Sequence, residues 1–96
     1  MSKMFLVTFD GPAGMREDLT KFLDTRDGIV DWHSSMVNSL IVATDLDVVA
    51  LRDVLKQGPA RRFLVVEIQP EGFDQTVSGW LPRATWDFIN RRQPAE

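Results

Sequence analysis

The chain contains no cysteine. That absence removes disulfides, thiolate catalysis and cysteine-ligated zinc, and it fits a cytoplasmic protein. Histidine occurs once, as His33, so one chain offers no histidine pair to a metal. Long apolar runs are also missing. The stretch Met4 to Val7 is far too short for a membrane span or the core of a signal peptide, so no membrane partner is expected. There is no internal repeat and no low-complexity segment. A strong charge of one sign is lacking too. The formal net charge is −3, which does not favour nucleic acid by bulk electrostatics.

The charge is unevenly spread. Up to Val48, the basic residues Lys3, Arg16, Lys21 and Arg26 are outnumbered by the acids. From Val49 on, Arg52, Lys56, Arg61, Arg62, Arg83, Arg91 and Arg92 slightly outnumber them. A chain of 96 residues is expected to form one domain, residues 1–96. Its core is expected over about 3–70, with a C-terminal loop and Trp-rich helix over about 71–92.

Apolar periodicity gives the element order. Met4-Phe5-Leu6-Val7-Thr8-Phe9 is short, mostly apolar and flanked by turn residues, which reads as a buried strand. Asp10 to Gly14 is a loop by its turn chemistry. Met15, Leu19, Phe22 and Leu23 recur at helical spacing, and Gly28 is placed to end that unit. Ile29 to Met36 alternates, which predicts Val30, Trp32 and Met36 on one face of a second strand. After a turn at Val37-Asn38-Ser39, Leu40 to Thr44 reads as a central strand. Asp45 or Asp47 can cap the next helix, whose stripe is Val48, Leu51 and Leu55; Gly58-Pro59 stops it. Phe63 to Ile68 is the fourth strand.

The tail is the most distinctive stretch: Gly79-Trp80-Leu81-Pro82-Arg83-Ala84-Thr85-Trp86-Asp87-Phe88-Ile89-Asn90. Proline is tolerated in a first helical turn, where N–H groups have no internal partner. Trp80 and Leu81 precede the helix like a staple, and Trp86 and Ile89 lie three apart on it. Such a tail is expected to dock. Trp80, Trp86 and Ile89 are therefore core or interface residues rather than a platform for stacking bases.

The order βαββαβ plus a third helix predicts an α+β, ferredoxin-like domain with a four-stranded antiparallel sheet and an additional C-terminal helix. Right-handed crossovers place both main helices on one sheet face. The other face needs cover from the terminal helix, a second subunit, or both. Val65-Val66 marks the fourth strand as an edge that needs cover or pairing. A homodimer is expected.

Four stretches carry a family resemblance. They are Phe5-Leu6-Val7-Thr8-Phe9-Asp10; Asp31-Trp32-His33; Leu51 to Leu55 followed by Phe63 to Ile68; and the tail from Gly79 to Asn90. Together they resemble the SinR-like branch of the small ferredoxin-like proteins that include the CRISPR-associated endoribonuclease and the virulence-associated protein D (VapD) toxins. The resemblance implies a dimer in which an Asp ending the first strand meets its symmetry mate and holds a divalent metal. Here that position is Asp10, the catalytic and metal-ligating candidate. A hard cation takes oxygen ligands and can activate water against phosphate, so magnesium or manganese is the implied cofactor of a nuclease. Read from the residues alone, Asp10 caps a turn before Gly11-Pro12. The nuclease members often carry a basic first helix, whereas this one reads Arg16-Glu17-Asp18.

Other residues point less sharply to chemistry. His33 and Ser34 are strand neighbours on opposite faces and cannot form a base–nucleophile pair. Asp31 shares a face with His33 and is placed to orient it. Gly11 to Gly14 is too short for a phosphate loop, and Pro12 removes an N–H. Arg61-Arg62 and Arg91-Arg92 are the nucleic-acid-binding candidates, since arginine pairs grip phosphates; near helix ends they also complement the dipole. Two functions follow. The first is a homodimeric interaction or adaptor protein with no cofactor. The second is a metal-dependent nuclease using Asp10 from both subunits, with nucleic acid as its partner.

Overall fold

A computed structural model describes residues 3–68 and 83–90. The elements are β1 (Lys3–Asp10), α1 (Met15–Asp24), β2 (Ile29–Met36), β3 (Ser39–Thr44), α2 (Val48–Lys56), β4 (Arg62–Ile68) and α3 (Arg83–Asn90). The four strands form one sheet in the order β2-β3-β1-β4, and every neighbouring pair is antiparallel. This is the ferredoxin-like βαββαβ arrangement with an added C-terminal helix.

Both central strands are apolar on both faces because both faces are covered. In β1, Phe5, Val7 and Phe9 point to one side and join Leu40 and Val42 of β3. Leu19 and Leu23 of α1 and Leu51 and Leu55 of α2 close over them, so both crossover helices lie on that face. Met4 of β1 and Ile41 and Ala43 of β3 point the other way. There Phe88 and Ile89 of α3 bury against them, with Leu6, Ile68 and Trp86 at the margin. The terminal helix thus covers the second face of its own sheet.

Local chemistry sets the boundaries. Asp47, rather than Asp45, caps α2: its carboxylate accepts from the Ala50 N–H at 2.8 Å. Gly14 precedes α1 with φ +92° and no side-chain cap. Gly28 has φ +88°, and an added Cβ would stand 2.9 Å from Leu46. Its carbonyl accepts from the Thr44 hydroxyl at 2.6 Å and the Asp45 N–H at 3.0 Å, tying the start of β2 to the end of β3.

The second strand departs from simple alternation. Register shifts fall between Ile29 and Asp31 and between His33 and Met36. The first makes Val30 the extra residue of a bulge, so Ile29 and Trp32 both pack toward the helices while Val30 and Met36 are exposed. The expected common face of Val30, Trp32 and Met36 is therefore lost. Only the pairing with β3 reveals this.

Candidate functional site

Asp10 ends β1 directly opposite Arg62, the first residue of β4. Antiparallel pairing brings the two side chains together, and the Arg62 guanidinium donates to the Asp10 carboxylate. Both side chains are largely exposed, so solvent screens the pair and holds its worth to about 0–1 kcal/mol. Around it lies an open cleft of about 400 Å³, lined by Asp10, Gly11, Pro12, Met15, Pro59, Arg61 and Arg62. Two of the four arginine candidates are thus beside the metal candidate. Arg91 and Arg92 lie outside the described residues.

The cleft has mixed chemistry. Arg61 is exposed and has no ion pair among the described residues. The Asp10 carboxylate already receives a guanidinium, so a cation binding there would compete with Arg62. No group of three or more His, Asp or Glu side chains that could hold a metal occurs among the described residues. Within one chain, Asp10 is the acid that lines the cleft; a symmetric pair of carboxylates requires the second chain. The loop before α1 uses its polar groups internally, since the Met15 N–H bonds to the Pro12 carbonyl at 3.1 Å.

A second, smaller depression of about 290 Å³ is lined by Arg16, Glu17, Thr20, Trp32 and Ser34. The Glu17 carboxyl is held below the usual range, first by its own backbone N–H and then by Arg16 at 3.2 Å. The Trp32 indole N–H donates to Asp24 at 2.7 Å, fixing the ring against the end of α1.

His33 has a structural partner that sequence reading did not identify. Its Nε2 lies 2.8 Å from the Thr85 hydroxyl of α3, and its ring centroid is 5.3 Å from that of Phe88. Thr85 is fully buried. The single histidine therefore joins β2 to α3. Ser34 does not face it: the Ser34 hydroxyl donates to the carbonyls of Met36 and Ser39 at 3.2 and 3.3 Å. Asp31 accepts from the Trp32 N–H at 2.8 Å. The signal for the His33 contact is thin, being one polar residue inside an otherwise apolar helical stripe.

In the docking helix, Ile89 is buried as expected. Trp86 is half-buried and packs at the edge of the cluster, while Phe88, which the sequence did not single out, is buried within it. Trp80 lies outside the described residues. No helix among the described residues is long and apolar enough to cross a membrane. Comparison of the chain with protein-family models, with curated proteins and with solved structures finds no match.

Proposed function

We propose that this protein is a cytoplasmic, homodimeric interaction module without robust catalysis, built on the ferredoxin-like sheet. One observation carries the reading: among the described residues β4 is an edge strand, and its Leu64 and Val66 are 62% and 48% exposed. Edge strands with apolar exposed side chains favour pairing with another chain. The exposed, salt-bridged Asp10 and the acidic start of α1 weigh against efficient phosphate chemistry in one chain. Size-exclusion chromatography with light scattering tests assembly. At micromolar concentration the mass should be twice 10.9 kDa; a strict monomer overturns the reading.

The second reading is a magnesium- or manganese-dependent nuclease resembling the CRISPR-associated and VapD proteins. What supports it is Asp10 at the mouth of a cleft that also holds Arg61 and Arg62. Wild type and Asp10→Asn should be assayed side by side on single- and double-stranded DNA and RNA, with and without metal. Weak or no cleavage is expected. Robust metal-dependent cleavage that vanishes in Asp10→Asn would replace the first reading with the second.

A further inference from the structure

We propose that β4 pairs antiparallel with β4 of a second copy about a two-fold axis through Val65, joining the two sheets into one. The inference rests on the dimeric reading above and assigns its interface, register and partner.

Hydrogen-bond direction along the strands fixes the register. The Phe9 N–H bonds to the Asn38 carbonyl at 3.0 Å, so Phe9 directs its polar groups toward β3. Strand residues alternate in the neighbour they address. Met4, Leu6, Thr8 and Asp10 therefore address β4, where their partners are Ile68, Val66, Leu64 and Arg62. Those even-numbered residues of β4 spend their backbone groups on β1. Phe63, Val65 and Glu67 direct theirs outward, where no strand of the described residues meets them.

A self-pairing must oppose these outward residues to one another. With Val65 on the axis, Val65 faces Val65 of the second copy, and Phe63 faces its Glu67. Every outward N–H and C=O of β4 then has a partner. A slip of two residues either way leaves an outward residue beyond the other strand's end. A slip of one flips side chains to the wrong face. The same register sets exposed Leu64 against Val66 of the second copy, on the face that carries α3. It also brings Glu67 within two residues of the other copy's Arg61, close enough for long side chains to reach. Neither Glu67 nor Arg61 has an ion pair among the described residues. The edge is thus complementary to itself in backbone, apolar surface and charge.

The opposite edge is built differently. β2 carries two register shifts and, between exposed Val30 and Met36, the polar residues Asp31, His33 and Ser34. Bulges and polar side chains discourage edge pairing. Between Arg62 and Glu67, β4 has only Phe63, Leu64, Val65 and Val66, and its register with β1 is unbroken. It contains no proline and no bulge.

The absence of native cysteine makes the test clean. In this register, positions 64 and 66 of opposite copies form a non-hydrogen-bonded pair with Cα atoms about 4.5 Å apart, within disulfide range. The double variant Leu64→Cys/Val66→Cys should form a disulfide-linked dimer under mild oxidation. Val66→Cys alone should not, because its symmetry mate is about 7–8 Å away. Val65→Pro removes an outward N–H and no bond to β1, so it should give a monomer with wild-type circular dichroism. Because Val65 also packs on the main cluster, Leu64→Lys serves as a second variant at an exposed site. It should weaken association at least tenfold and leave the melting curve of the monomer unchanged. If wild type is dimeric but the double-cysteine variant stays unlinked and both Val65→Pro and Leu64→Lys remain dimers, β4 is not the interface and the dimeric reading survives. If wild type is a monomer, both fall.

Discussion

The two faces of the sheet are closed to different degrees. Under α1 and α2, Phe5, Val7, Leu40 and Val42 are almost wholly buried. Under α3, Ile41 and Ala43 are buried, but toward β4 the cover ends and Leu64 and Val66 lie open. The first face receives two amphipathic helices, the second only one described helix of eight residues. The contrast separates what the fold needs from what it leaves for assembly. The crossover-helix face is a core in the full sense. The α3 face is a core at its β3–β1 side and a surface at its β4 side.

Removing bulk on the closed face should have the largest effect. Phe5→Ala is expected to cost about 3–5 kcal/mol, read as a lowered urea midpoint, because both helices and β3 surround the ring. A small shift there would mean that this face is looser than its burial implies.

Phe88→Ala should cost less, about 2–3 kcal/mol, although large-to-small changes at buried aromatics usually reach higher values. Its cluster is smaller, and α3 can undock locally before the sheet unfolds. Amide exchange should show α3 exchanging ahead of β1 and β3. Uniform exchange across both faces would erase the distinction between them. Trp86→Ala, at the margin of the same cluster, should cost less than Phe88→Ala.

Thr85→Val should cost about 1 kcal/mol, since it keeps the volume but removes the hydroxyl that meets His33. Faster amide exchange confined to α3 and the facing part of β2 is the expected signature. Smallest of all should be Asp10→Asn, within about 0.5 kcal/mol of wild type by thermal melting. Its ion pair with Arg62 is solvent-screened and lies at the rim rather than on either face.

The fold was legible because its signals are local. Continuous apolar runs at Met4 to Phe9 and Leu40 to Thr44, helical stripes at Leu19-Leu23 and Leu51-Leu55, and Gly28 and Gly58 between them define the order. The candidate site was less legible. Asp10 and Arg62 stand fifty-two positions apart, and only the antiparallel register of β1 with β4 makes them neighbours. His33 and Thr85 are equally distant in sequence. Trp86 was expected to dock because it lies three residues from Ile89, and it does pack on the cluster, but at its margin, with Phe88 and Ile89 at the centre.

By itself, then, the sequence determined which segments are strands and helices and in what order, because side-chain periodicity and turn chemistry act over a few residues. Chirality rules carried that order to a sheet with both crossover helices on one side. Tertiary structure decided the rest. Register chose the partner of Asp10, a bulge in β2 chose Trp32 over Val30, and the seating of α3 on Met4, Ile41 and Ala43 left Leu64 and Val66 of β4 exposed. Each depends on contacts between segments far apart in the chain, where the fit of whole surfaces outweighs the preference of any one residue.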